Sequence, residues 1–134
     1  LSLHDALPIC LFTFRNEHQS YLGRVHGGMI TAMLDELIGR VLWIKEPESL
    51  AVTTTITVKY RRPMPIGEQL RGVARLEQDS SRGFVGIGEI YDANGKLLAS
   101  AEGTYMRLPN ATIGDFDIHE EMKYLIEDNI TEIE

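Results

Sequence analysis

Residues 26–36 read His26-Gly-Gly-Met-Ile-Thr-Ala-Met-Leu-Asp35-Glu36, and the apolar spacing that begins here runs on toward Ile44. Apolar side chains fall at 29, 30, 33, 34, 37, 38, 41 and 42. That is the 3.6-residue period of a helix with a wide buried stripe. The spacing predicts a helix from about Met29 to Ile44, stopped by Pro47. Just before it lies a glycine-rich, loop-like stretch, Tyr21-Leu-Gly-Arg-Val-His-Gly-Gly28. The helix is the hydrophobic centre of the chain.

Outward from it the periodicity changes. Upstream, Leu11 to Phe14 alternates over the length of a short first strand. Downstream, Val52, Thr54, Ile56, Val58 and Tyr60 alternate with Thr53, Thr55, Thr57, Lys59 and Arg61, a half-buried strand rich in β-branched residues. Pro63 and Pro65 end or bend it. Leu70 to Glu77 and Phe84 to Tyr91 read as two further strands around a polar turn at Asp79–Gly83. Asn94-Gly95 is a two-residue hairpin signal leading into a last strand, Lys96 to Leu108. Gly86, Gly88 and Gly103 inside strands point to bends or close backbone approach, as a strongly curved sheet needs. One long helix followed by an antiparallel meander is an α+β pattern. A single helix cannot cover both faces and both edges of such a sheet, so an oligomer is expected.

Composition narrows the classes. With 134 residues, 43% hydrophobic and 25% charged, the chain suits one globular domain. Its net charge of -7 is unevenly placed: from Asp115 onward there are eight acidic residues and one basic, Lys123. The preceding residues balance at twelve of each sign and present no basic field for nucleic acid. The acidic segment 115–134 has helical spacing at Ile118, Met122, Leu125 and Ile126 and reads as a surface helix packed on the body. No run approaches the ~20 apolar residues of a membrane helix. The single cysteine, Cys10, excludes an intrachain disulfide framework. The expectation is a soluble, cytoplasmic domain over residues 10–114. Residues 1–9, LSLHDALPI, resemble the in-frame translation of a sequencing adapter, and the expectation is that the native amino terminus is missing.

Asp35 has Thr31 four residues before it, Gly39 four after and Gly28 seven before, so small side chains clear a stripe around it. A carboxylate so placed on a mostly buried helix is a candidate base or nucleophile. Glu36 has a plainer role, pairing with Arg40 one turn on. The free amides of Gly27 and Gly28 at the helix start would polarise a carbonyl oxygen, although a glycine-rich turn that merely begins a helix reads the same. His18 and His26 find no third ligand for a metal, and Ser80-Ser81 lacks the context of a serine hydrolase. Lys59, Arg61 and Arg62 form either a solvated strand end or a grip for phosphates.

The string from His26 to Glu36 is similar to the signature of the hotdog-fold thioesterases of the phenylacetic-acid-degradation type, in the 4-hydroxybenzoyl-CoA thioesterase superfamily. Val52-Thr53 through Tyr60-Arg-Arg-Pro63 and Gly67-Glu68 resembles the family's second strand and turn, and Asp92-Ala-Asn-Gly-Lys-Leu-Leu-Ala99-Ser-Ala101 its last hairpin. The resemblance runs from about Tyr21 to Met106. It implies a hotdog fold, one long helix wrapped by a curved antiparallel sheet of about five strands, paired into homodimers or homotetramers. It also implies hydrolysis of acyl-CoA at sites shared between subunits, with no metal and no cofactor beyond the substrate's own CoA. By position, Asp35 is then the carboxylate that attacks the carbonyl or activates water. Gly27 and Gly28 hold the oxyanion, His26 orients that turn, and Thr53 is the hydroxyl of a partner chain. Alternation places Thr53 on the polar side, away from its own helix, so the expectation is that it serves only another chain's Asp35. Where family members carry Asn or Gln six or so residues before the histidine, to position water or substrate, this chain has Ser20, with Gln19 adjacent; either that role passes to Gln19 or the water-positioning step differs. Two other readings are a non-catalytic hotdog module that binds acyl-CoA or lipid, and a hotdog dehydratase. The dehydratase pattern wants a histidine and a proline-bearing loop before a helix glutamate, where this chain has Gly-Gly and Asp35.

Overall fold

The computed structural model describes residues 10–46 and 50–108. The adapter-like segment 1–9, Pro47 and the acidic segment 115–134 lie outside them, as do both expected domain boundaries.

One helix, α1 (Gly27–Lys45), and five strands, β1 (Cys10–Phe12), β2 (Leu50–Tyr60), β3 (Leu70–Asp79), β4 (Gly83–Tyr91) and β5 (Leu97–Leu108), make up the hotdog architecture. A short 3-10 turn, Asn16–His18, precedes the helix. Every strand pairing is antiparallel, in the order β1-β3-β4-β5-β2. The helix buries Ile30, Met33, Leu34, Leu37, Ile38 and Leu42 against one face of the sheet. On that face the register sets small residues beside one another: Gly86 lies beside Gly103, and Gly88 between Ala74 and Ala101. At Gly72, Gly86 and Gly88 large helix side chains thus meet bare backbone, and the sheet can wrap closely. The outer face carries a second, smaller cluster of Val73 and Tyr91 with Ile87 and Leu97.

Two local expectations change. The strict alternation of β2 is broken by a bulge: Thr53 pairs with Tyr105 and Thr55 with Thr104, leaving Thr54 unmatched. An extra residue reverses the phase of the pleat. Thr53 therefore shares the inner face with Ile56 and Val58, while Val52 is exposed. The Asn94-Gly95 hairpin also differs from a two-residue loop. Residues 92–96 connect β4 to β5, with the Asp92 carboxylate accepting the amides of Asn94 and Lys96. The Gly95 amide donates to the Asp92 carbonyl, and Gly95 has φ 81°, so a turn followed by a left-handed glycine replaces the tighter form.

Arg107 closes the far end. Its guanidinium meets Glu46 just past the helix (3.3 Å), Asp79 at the end of β3 (2.7 Å) and the carbonyl of Ser80.

The wrapping makes a graded prediction. A methyl group at Gly86 would overlap Cγ2 of Ile38, a fully buried β-branched side chain that cannot rotate away. At Gly88 the nearest atom would be 3.2 Å off. In urea denaturation Gly86→Ala is expected to lose about 1–3 kcal/mol and Gly88→Ala distinctly less. Equal losses would contradict the packing described.

Candidate active site

Asp35 is half-buried on the inward side of α1, and two strands reach it. The Thr53 hydroxyl on β2 donates to Asp35 Oδ1 at 2.8 Å. The Tyr105 hydroxyl on β5 donates to the same oxygen, also at 2.8 Å. Among the described residues none donates to Oδ2. Thr53 thus contacts the aspartate of its own chain, contrary to the expectation from alternation, because the bulge at Thr54 has turned it inward. Burial pushes the Tyr105 phenol far above its ordinary range, and the adjacent Asp35 carboxylate pushes it further. Tyr105 is therefore a permanent hydrogen-bond donor. Glu36 takes the role expected of it, with Arg40 Nε 3.8 Å from Oε2.

The helix start differs in detail from the expected loop. Gly27 and Gly28 lie inside the first turn, and His26 is the N-cap. The Gly28 amide donates to His26 Nδ1 at 2.9 Å. Of the two amides expected to hold an oxyanion, Gly28 is therefore engaged by the imidazole. Gly27 gives its amide to none of the described residues. Its carbonyl accepts from the Tyr60 hydroxyl at 3.0 Å, and Thr31 donates to that same hydroxyl at 2.6 Å. Tyr60 thus ties the end of β2 to the first turn of α1.

The loop before the helix folds on itself. Gln19 Oε1 accepts from the Gly23 amide at 3.3 Å, and the Ser20 amide donates to the Arg24 carbonyl at 2.9 Å. Neither side chain reaches Asp35 of its own chain. A groove of about 370 Å³ opens beside the helix start, lined by Arg24, Gly27, Tyr60, Arg61 and Arg62 among others. Lys59 is not part of that lining; the pleat sets it on the face opposite Tyr60. His18 is buried, with Nδ1 accepting the Arg15 amide at 3.0 Å, and serves the loop. Among the described residues no group of three or more His, Cys, Asp or Glu could hold a metal ion.

This fold has a known setting. The family model of the thioesterase superfamily matches residues 22–99, more than half of the sequence. The chain belongs to the thioesterase superfamily. It is similar to human acyl-coenzyme A thioesterase 13, with 27% identity over 108 residues covering 78% of this chain and 77% of that protein. A phenylacetic acid degradation-related protein from Ralstonia eutropha JMP134 superposes with a TM-score of 0.66 at 31% identity, covering 72% of each chain. A Bacillus halodurans protein solved with CoA gives a TM-score of 0.67 at 26% identity, over 73% of this chain and 69% of that one.

Three residues of this thioesterase were missed from its sequence. Tyr60 and Arg24 carry no signal beyond their types. Tyr105 does carry one: it falls on the inner face of β5 in step with Ala101 and Gly103, and a tyrosine buried there needs a partner for its hydroxyl. The cap is directly testable. Because Nδ1 of His26 satisfies an otherwise open helix amide, His26→Ala is expected to cost about 0.5–2 kcal/mol in chemical denaturation. His26→Asn, which restores an acceptor at the N-cap, is expected to recover most of that loss.

Proposed function

We propose that this chain hydrolyses acyl-CoA thioesters to the free acid and CoA, with Asp35 as the catalytic carboxylate. The observation that carries the reading is the pair of hydroxyls on Asp35 Oδ1, which leaves Oδ2 open on a half-buried helix in a thioesterase-family fold. Oδ2 takes a proton from water as the water oxygen bonds to the thioester carbon. The C–S bond then breaks with its electron pair on sulfur, and the proton returns from Asp35 to the thiolate. Direct attack by Oδ2 on carbon is the nucleophilic variant. In ¹⁸O-water under single turnover, label in Asp35 identifies direct attack, because it enters the side chain only when water opens an acyl–aspartyl anhydride at the Asp35 carbonyl. The Gly27 amide is the free donor for the developing oxyanion, and the Gly28 amide joins it when the His26 ring turns aside. Arg24, Arg61 and Arg62 around the groove suit the phosphates of CoA, a group present in the Bacillus halodurans neighbour. The chemistry needs no metal and no cofactor besides the CoA of the substrate.

The site needs two copies of the chain. Gly28 and Asp35 are seven residues apart on one helix, about 10 Å along its axis. A single thioester carbonyl cannot lie within bonding range of both. A second chain must bring its helix start to this Asp35, and its loop with Gln19 and Ser20 comes with it. β2 favours this assembly: it is an eleven-residue edge strand with one side unpaired among the described residues. The reading is therefore a homodimer, or a homotetramer built from it. No helix among the described residues is long and apolar enough to cross a membrane, which fits the cytoplasmic location proposed.

Three measurements test this. Free-thiol release from a panel of acyl-CoA esters is expected for the wild type, and it separates an enzyme from a module that only binds. Asp35→Asn is expected to lower kcat by several orders of magnitude with the fold intact by circular dichroism, while Glu36→Gln, which loses a pair worth roughly 0.2–0.5 kcal/mol, stays close to wild type. Near wild-type turnover in Asp35→Asn would sink the assignment. For the shared site, Asp35→Asn and Gly27→Val chains, each inactive alone, are expected to regain activity when refolded together, because one site in the mixed dimer is then intact. Failure to complement, or a folded monomer by sedimentation, would remove the two-chain site.

A further inference from the structure

We infer that Tyr105 is a positioning residue for Asp35: together with Thr53 it fills both lone pairs of Oδ1, so that Oδ2 alone meets the reactants. The inference rests on the reading of Asp35 as the catalytic carboxylate and assigns the work of a side chain outside the family signature quoted above.

The geometry is built from the register. Thr53 and Tyr105 are direct partners across β2 and β5, so their side chains rise from the same face toward the same helix. Each hydroxyl is 2.8 Å from Oδ1. One carboxylate oxygen has two lone pairs to offer, and two donors occupy both. A carboxylate otherwise rotates about its terminal bond with little preference. Held from two strands it has one orientation.

The tyrosine is itself fixed. It is 4% exposed and its ring stacks on Phe84, with centroids 4.8 Å apart and planes at 10°. Its course along β5 depends on Gly103. A Cβ at that position would lie 2.7 Å from Cε1 of Tyr105 and 2.9 Å from its hydroxyl oxygen. The strand is bare where the phenol crosses it, and any side chain there would push the hydroxyl off Asp35. The phenol also keeps its proton, because burial and the neighbouring carboxylate oppose its loss. Two features, a missing Cβ and an aromatic stack, thus aim one hydroxyl at one oxygen.

Tyr105→Phe tests the inference, since it removes the hydroxyl and keeps the stack on Phe84. With a good acyl-CoA ester, kcat is expected to fall roughly 10- to 100-fold while KM stays within about a factor of two. A merely structural tyrosine would instead lower the melting temperature and leave the kinetics of the folded enzyme unchanged. Gly103→Ala keeps the phenol but displaces it, and the same selective loss of kcat is expected. Crystal structures of wild type and Tyr105→Phe give a readout independent of turnover: Asp35 is expected to rotate in the variant. Wild-type kcat in Tyr105→Phe, or an unmoved Asp35 carboxylate in its crystals, would overturn the inference. A wild-type protein that releases no thiol would defeat the hydrolase reading instead, and the crystal comparison would still decide whether Tyr105 orients Asp35.

Discussion

Leu34, Leu37 and Ile38 press on the sheet where it has no side chains, at Gly72, Gly86 and Gly88. Their fit sets how near the helix axis lies to the strands, and every contact to Asp35 depends on that separation. A helix standing off by the depth of even one methyl layer would leave the hydroxyls of Thr53 and Tyr105 short of a hydrogen bond. Apolar packing positions the polar site. At the opposite end of the helix Arg107 fastens the chain after α1 to the turn between β3 and β4, so the helix cannot slide along its groove.

Much of this architecture was legible in the sequence, because it follows from periods. The 3.6-residue spacing from Met29 onward and the two-residue alternation of the later strands correspond to α1 and to β2 through β5. Glycines inside strand patterns, Gly86, Gly88 and Gly103, correctly signalled close approach, although nothing in the pattern said that Ile38, Leu34 and Tyr105 were the side chains approaching. Asp35 stood out through the small residues around it. The link from Glu36 to Arg40 followed from helix spacing alone.

What was not legible depended on the phase of the pleat. Thr53-Thr54-Thr55 is a run of one residue type, so it carries no alternation, and a bulge inside it leaves no mark in the sequence. Alternation counted across that run placed Thr53 on the wrong face. Tyr105 was legible as a buried tyrosine in step with Ala101 and Gly103, but its partner was not, because Asp35 and Thr53 reach it only through the cross-strand register. The cap at His26 was missed for a different reason. The glycines read as the end of the loop, whereas an imidazole acceptor lets the helix begin two residues earlier, at Gly27.

The threonine run has one more consequence, for the robustness of the site. A bulge placed one residue nearer the start of β2 would set Thr54 opposite Tyr105 in place of Thr53. Asp35 would still be offered a threonine hydroxyl. The β2 side of the clamp is therefore redundant, insured against slippage by repetition of a single residue type. The β5 side has no such insurance. Thr104 and Met106 flank Tyr105 with side chains on the other face, and neither can take over the reach of a phenol. Of the two hydroxyls on one oxygen, one is backed by its neighbours and the other is singular.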